Sequence, residues 1–169
     1  MEIRSLIARR SVRTFDATPV DHSTVSLIVD QARWTGSARN RQPWRFVAVY
    51  DQGIRSQLAA LGAYAGHLAT APVVLVLLSP VAQQLDTEFD LGRVAQSVTL
   101  VAAEQGLGSC ITSLYPEANS RTAAELVSAD PGWTARHAIA LGFPAPKPTA
   151  GRSAIPLGRR SVAESLRFL

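Results

Sequence analysis

The residues Val73-Val74-Leu75-Val76-Leu77-Leu78 form an unbroken apolar run, with Pro72 before it and Pro80 after it. A short run that is apolar at every position is typical of a β-strand whose two faces are both buried. The sequence therefore predicts that this strand lies at the centre of a sheet.

Helical and strand patterns alternate on both sides of this run. Before it, the patterns predict helices over 2–10, from an Asp21 or Ser23 N-cap to about Trp34, and over 53–61, with a strand over 44–50. After it, they predict a long helix over 88–105, an extended piece over 110–114, a helix over 120–127 capped by Asn119 or Ser120, and a strand over 137–141. This alternation predicts an α+β or α/β fold, and periodicity alone does not choose between the two.

The length and composition predict one domain, over residues 1–169. The chain has 47% hydrophobic and 18% charged residues, which is typical of a globular protein. Residues 144–158 contain four prolines and two glycines, so residues 144–169 are expected to form an extended C-terminal arm and not a second domain.

The charge and cysteine content argue against several classes of partner. The net charge is +4, but the arginines are spread along the chain and form no basic stripe, so we expect no nucleic-acid partner. We expect no membrane partner, because no apolar run reaches the ~20 residues that cross a bilayer. The single Cys110 and the charged N-terminus favour the cytoplasm. The three histidines lack metal-ligand spacing, and no metal site is expected.

Two polar stretches carry the functional signal. In the first, Arg9, Arg10, Ser11 and Arg13 gather three guanidinium groups and a hydroxyl within five residues. Arginine binds phosphate through a planar fork of donors, so this stretch predicts an anion site. One such arginine could instead simply oppose the dipole of a helix end, but that role does not explain three.

The second stretch is Ser37-Ala38-Arg39-Asn40-Arg41-Gln42-Pro43-Trp44. Its Ser, Asn and Gln side chains are able to recognise polar ring edges, although composition alone also fits an ordinary polar loop. Taken together, the two stretches suggest a phosphorylated cofactor with a polar ring system.

These stretches resemble the signatures of the nitroreductase family of flavin-dependent oxidoreductases. The segment from Asp90 through Ala103 to Gly106-Leu107-Gly108 is similar to the family's central helix and following turn, and Arg159-Arg160 extends the match towards the C-terminus. The resemblance implies an α+β fold in three layers, with a mixed central sheet flanked by helices. It also implies an intertwined homodimer with exchanged C-terminal arms, bound FMN, NAD(P)H as co-substrate and a small-molecule electron acceptor.

The resemblance also implies roles for individual residues. Arg9 and Ser11 would contact the phosphate and ribityl chain, and Arg10 would also bind the cofactor. Arg13 would lie near the N1/O2 edge of the ring, and either Arg159 or Arg160, with Arg159 as the first choice, would complete the phosphate clamp. The main chain at Ile111, Ser113 and Leu114 would approach one face of the ring, with an amide near N5. The remaining cofactor contacts would come from the opposite subunit, through Ser37, Ala38, Asn40 and Gln42.

The chain departs from the family pattern in several places. Gly36 stands where proline is usual, Arg39 and Arg41 flank Asn40, and the region of Tyr64 to Gly66 lacks the usual asparagine. The connection from Ser79 to Glu88 is short, which implies an open pocket. Three alternatives stay open: an exposed basic patch at Arg159-Arg160, a specialised biosynthetic reaction, and a flavin- or deazaflavin-binding protein without nicotinamide turnover.

Overall fold

The computed structural model describes residues 3–82, 84–146 and 158–169. In chain order the elements are α1 (Ile3–Ile7), α2 (His22–Ala32), β1 (Arg45–Val49), α3 (Gln52–Ala59), β2 (Val73–Pro80), α4 (Thr87–Glu104), β3 (Gly108–Ser113), α5 (Glu117–Leu126), β4 (Trp133–Gly142) and α6 (Val162–Ser165). Short 3₁₀ turns occur at Ala38–Asn40 and Gly66–Ala69.

The four strands form one sheet in the order β1-β2-β4-β3. The predicted apolar run is β2, an interior strand whose residues from Val73 to Ser79 are all buried. Each pairing is antiparallel, with Leu75 opposite Ala48 on β1 and Ile139 on β4. The fold class is α+β, and the mixed sheet that the resemblance implied is wrong for the described residues. Strands β2 and β3 do run in the same direction, but β4 lies between them.

Helices cover both faces of this sheet, which gives the three layers. Val73, Leu75 and Leu77 point to one face, where they pack with Ile28 of α2 and with α4. On the other face the alternate residues of β2 pack against α3 and α5, and this second cluster contains Val74, Val76, Leu78, Leu58 and Ala123. The alternation of a strand explains why one apolar run supplies both cores.

The helix starts follow local capping chemistry in most cases. The Asp21 carboxylate accepts a hydrogen bond from the backbone N–H of Thr24 at 2.7 Å, which confirms Asp21 as the N-cap of α2. The predicted helix over 120–127 is present as α5, but its predicted start was wrong, because this helix begins at Glu117. The predicted caps have other partners: Asn119 donates to the Leu61 carbonyl at 3.0 Å, and Ser120 donates to the Leu114 carbonyl.

Long helix α4 crosses the first face and carries three acidic residues near its start. Asp86 pairs with Arg41, Glu88 pairs with His137, and Asp90 accepts a hydrogen bond from the backbone N–H of Ala38. Each of these carboxylates therefore fixes a different part of the chain against α4. Within the described residues, no helix combines the length and apolar character that a bilayer span requires.

Candidate functional site

A cavity of about 730 Å³ lies beside α1 and the segment that follows it. Five of its lining residues are arginines, and none of the lining residues that the structure describes is acidic. The lining consists of Ile3, Arg4, Ile7, Ala8, Arg9, Arg10, Ser11, Arg13, Gly158 and Arg159. Five cations around one space repel one another unless an anion lies between them, so this arginine cavity is suited to a phosphate group.

The segment that carries these arginines is fixed against the open edge of β3. The backbone N–H of Val12 donates to the Ser109 carbonyl at 2.8 Å, and that of Asp16 donates to the Phe143 carbonyl at 3.0 Å. Gly108 permits the contact, because a Cβ there would lie 2.7 Å from Val12. The arginine segment is therefore held against the sheet by main-chain hydrogen bonds.

The C-terminal end of the described chain reaches the same cavity. Arg159 lines it together with Arg9 and Arg13, whereas Arg160 is not among the lining residues. Residues 147–157 of the predicted arm lie outside the described residues, so the path of the arm is not described. The resemblance implied that Arg159 or Arg160 joins this group, and the structure brings Arg159, which is 146 positions from Arg13, to the cavity.

A smaller cavity of about 160 Å³ continues from the arginines along β3 and α4. Arg9, Arg10 and Ser11 line both cavities, and Gln96, Thr99 and Ile111 line the smaller one. Because the Ser109 carbonyl points outwards to Val12, the alternation of an antiparallel strand directs the main-chain groups of Ile111 and Ser113 to the same open edge.

Leu114 differs from its two neighbours in the predicted site. Its backbone N–H donates to the Arg136 carbonyl at 2.8 Å, and its side chain is buried in the second core. Its amide is therefore already engaged inside the sheet. The main-chain groups that remain directed towards the open edge belong to Ile111 and Ser113.

Ser113 also belongs to a hydrogen-bonded chain. It lies opposite His137 on β4, and its Oγ is 3.1 Å from His137 Nδ1. His137 Nε2 is 3.0 Å from the Glu88 carboxylate on α4. These three residues line a further cavity of about 480 Å³, together with Leu114, Tyr115, Glu117, Ser120 and Arg136.

The second predicted stretch lies elsewhere. Ser37, Ala38, Asn40 and Gln42 are not among the residues that line the arginine cavity, so a single chain does not bring the two stretches together. Asn40 and Gln42 are exposed, and the Gln42 amide donates to Asn40 Oδ1 at 3.0 Å. Arg41, one of the two unusual arginines, pairs with Asp86.

The backbone of this loop is strained. Arg39, Asn40 and Gln42 have φ values of 52°, 53° and 47°, in the left-handed region that costs a non-glycine residue about 1–3 kcal/mol. The loop is held by the Ala38 N–H bond to Asp90 and by Ser37 Oγ, which accepts from the Gln42 N–H at 2.8 Å. Strain of this kind is concentrated at functional sites, so this loop is a second candidate binding element.

His67 is a partly buried histidine whose contact with β3 was not expected from the sequence. Its Nε2 is 3.1 Å from Thr112 Oγ1 on β3. Burial lowers the pKa of His67, and the positive charge of Arg13 lowers this pKa further, while hydrogen bonding at Tyr64 and Cys110 acts in the opposite direction. A lone histidine after a glycine gives no sequence signal of this contact.

The described residues contain no cluster of three or more metal-ligating side chains.

The chain is similar to proteins of one family. The model of the Nitroreductase family matches residues 6–65 and 56–143. A protein of Methanothermobacter thermautotrophicus named "Putative NADH dehydrogenase/NAD(P)H nitroreductase" is 25% identical over 150 residues, which cover 86% of this chain and 78% of that protein.

Solved structures of the same family have similar folds. A nitroreductase family protein from Streptococcus pneumoniae superposes with a TM-score of 0.81 at 20% identity, covering 98% of this chain and 99% of that one. A structure from Desulfovibrio desulfuricans, described as "a putative nitroreductase in complex with fmn", has a TM-score of 0.79 at 25% identity, covering 97% of this chain and 94% of that one.

Proposed function

Because this chain belongs to the nitroreductase family, we propose that it is an FMN-dependent oxidoreductase that takes a hydride from NAD(P)H and reduces a small-molecule acceptor. The acceptors in this proposal are nitroaromatic compounds, quinones and activated alkenes. The two substrates would use the same pocket in turn, in a ping-pong cycle in the cytoplasm.

The observation that carries this proposal is the arginine cavity. Its five arginines and the Ser11 hydroxyl provide the charge-assisted donors that a phosphate monoester requires, and its volume of about 730 Å³ lies within the range of cofactor pockets. The residues present therefore fit a flavin mononucleotide. In this proposal Arg9, Arg10, Ser11 and Arg159 hold the phosphate and ribityl groups.

When bound, FMN supplies the hydride acceptor and donor chemistry. Arg13 would supply a fixed positive charge, and preorganised charge of this kind stabilises negative charge that develops on a bound ring. The main-chain N–H groups of Ile111 and Ser113, which are directed to the open edge of β3, would donate hydrogen bonds there.

We include a homodimer in the proposal. Asn40 and Gln42 lie outside the arginine cavity of their own chain, so a second copy would have to bring them to it. Phe89 and Trp34 are 71% and 77% exposed, and Phe89 lines a cavity of about 680 Å³ with Gly36, Gly92 and other residues of α4 and the preceding loop. Exposed aromatic residues beside a groove favour coverage by a partner, and exchange of the C-terminal arms belongs to the same proposal.

The test begins with the protein as purified. We expect flavin absorbance or its appearance after incubation with FMN, bleaching by NADH or NADPH without oxygen, and a dimer by size-exclusion chromatography with light scattering. Arg121→Ala is the control variant, since Arg121 pairs with Glu117 on α5. Protein that binds FMN with bleaching by neither nucleotide would indicate a flavin- or deazaflavin-binding protein instead. Protein that stays colourless would contradict the proposal entirely.

A further inference from the structure

Two separate cavities lie along α4 and the edge strand β3, and we call the surface that carries both of them the groove. Gln96 and Ile111 line the cavity near Arg9, and Glu88, Ser113 and His137 line the other cavity. Gln96 and Glu88 are separated by eight residues, about 12 Å along a helix, and Ile111 and Ser113 by about 7 Å along a strand. Ile111 and Ser113 share one face of β3, because both lie opposite β4 residues of the same face.

The far end of this groove holds groups suited to proton transfer. An ionised carboxylate only accepts hydrogen bonds, so the Glu88 carboxylate requires the proton of His137 on Nε2, 3.0 Å away. The neutral ring then has a bare Nδ1, which accepts a hydrogen bond from the Ser113 hydroxyl at 3.1 Å. When the ring is protonated, Nδ1–H donates to Ser113 Oγ and the hydroxyl proton is free to face the groove.

The three residues differ in exposure, and His137 is the least exposed of them. Ser113 is exposed at the groove, the His137 side chain is 25% exposed, and the Glu88 side chain is 46% exposed. The other charged groups that line this cavity have partners of their own: Glu117 pairs with Arg121, and Arg136 donates to Ser79 Oγ at 2.8 Å and to the Pro80 carbonyl. Glu88 is the carboxylate that reaches His137.

We propose that Ser113, His137 and Glu88 form a proton relay that protonates the acceptor bound in the groove. The inference rests on the proposed oxidoreductase function and names the protein groups that supply its proton. In this proposal Ser113 is the catalytic residue, because it is exposed in the cavity and its hydroxyl would donate the proton to the acceptor. His137 and Glu88 act through Ser113 and position it.

The protons and electrons of quinone reduction balance with the groups named here. Reduction of a quinone to a hydroquinone adds two electrons and two protons, and NAD(P)H provides the electrons and one hydrogen as hydride. The second proton comes from the Ser113 O–H bond, which breaks as an O–H bond forms on the acceptor. The Nδ1–H proton of His137 replaces it on Ser113, and His137 is left neutral with Nε2–H on Glu88. Solvent restores the lost proton after the product leaves.

The first test compares two acceptors in one enzyme. Reduction of 1,4-naphthoquinone needs a proton on the acceptor, whereas reduction of ferricyanide transfers one electron and needs none. We expect Ser113→Ala and His137→Gln to lower the ratio of quinone to ferricyanide turnover about tenfold, through kcat and not KM. Ser113→Thr keeps the hydroxyl and should retain the ratio within about twofold. The solvent deuterium isotope effect on quinone reduction should change in Ser113→Ala.

The second test needs no coenzyme. Long-range ¹H–¹⁵N spectra of the flavin-free protein should show that the neutral form of His137 carries its proton on Nε2, with the signals assigned by their loss in His137→Gln. A neutral form that carries its proton on Nδ1 instead, or an unchanged acceptor ratio in Ser113→Ala, would overturn the relay. Failure of wild-type protein to reduce either acceptor would instead contradict the proposed function, and the relay with it.

Discussion

The buried carboxylate of Asp90 on α4 accepts a hydrogen bond from the backbone N–H of Ala38, 2.9 Å away. Asp90 is only 1% exposed, and Ala38 begins the strained turn that presents Asn40 and Gln42. One carboxylate of the long helix therefore supports a loop that is separated from it by 52 positions in the sequence.

Replacement of Asp90 should destabilise both the helix packing and the loop. Asp90→Ala leaves the Ala38 N–H without its acceptor and should cost about 1–3 kcal/mol of unfolding free energy, whereas Asp90→Asn keeps an acceptor and should cost less. Urea unfolding measures both, and amide exchange at Ala38 reports the loop. The surface variant Asp30→Ala, which loses an exposed pair with Arg33, should change stability by about 0.5 kcal/mol or less. Equal losses in Asp90→Ala and Asp30→Ala would contradict this role.

The two ends of the arginine segment should affect the flavin differently. Arg9→Ala should weaken FMN binding about tenfold or more, because a charge-assisted bond to phosphate is lost, with little effect on the reduction rate at saturation. Arg13→Ala should slow reduction by NAD(P)H about tenfold or more with a smaller effect on binding. Fluorescence titration and anaerobic stopped-flow absorbance measure the two quantities, with Arg121→Ala as the control. Similar effects of both variants on both quantities would refute this division of roles.

The lowered pKa of His67 predicts a pH dependence of stability. The ordinary pKa of histidine is near 6.5. Above this value the ring is neutral in both the folded and the unfolded chain, so it contributes nothing. Below it the unfolded chain binds the proton more readily, so stability falls as the pH falls towards the lower pKa of the folded state.

His67→Gln should therefore lose less stability between pH 7 and pH 5 than the wild type does, as measured by urea unfolding at each pH. Arg13→Gln should raise the pKa of His67, observed by NMR titration, because one cause of the lowering is removed. Arg33→Gln is the matched control, since Arg33 lies on the surface of α2 beside Asp30. A His67 titration that is the same in Arg13→Gln and the wild type would show that Arg13 exerts no such influence.

Two glycines in the connection between α3 and β2 should differ in how much their replacement by alanine changes stability. A Cβ at Gly62 would lie 2.6 Å from the backbone carbonyl oxygen of Ser113, so Gly62→Ala should destabilise the protein by about 1–3 kcal/mol and move the end of β3. A Cβ at Gly66 meets no atom within 4 Å, so Gly66→Ala should change stability by about 0.5 kcal/mol or less. The difference between the two urea midpoints is the measurement, and coincident midpoints would disprove the close approach.

Local signals predicted most of the secondary structure. The apolar run at Val73 identified the interior strand, and Asp21 identified the start of α2, because burial on both faces and N-capping leave marks within a few residues. The start of α5 was missed because Asn119 and Ser120 resemble caps in sequence, while their side chains bond to distant or preceding carbonyl groups. The antiparallel pairing depends on which strands become neighbours and on their directions, and no local sequence pattern contains this information.

The candidate site likewise has a part that the sequence revealed and a part that it did not. The clustering of Arg9, Ser11 and Arg13 is visible in the sequence, since it lies within five residues. Arg159 at the same cavity, and the contact of Ser113 with His137, depend on strand register and on the path of the chain ends. The contact between His67 and Thr112 also joins distant segments. Composition and spacing contain no information about such pairs.

The strand order has a consequence for biosynthesis. Among the strands of the described residues, β4 leaves the ribosome last, and it occupies an interior position between β2 and β3. A nascent chain that ends before Trp133 leaves the apolar edge of β2 without its neighbour, so the sheet cannot close until residue 142 has emerged. Truncated translation products of this protein should therefore aggregate or recruit chaperones, and chains that extend past β4 should not.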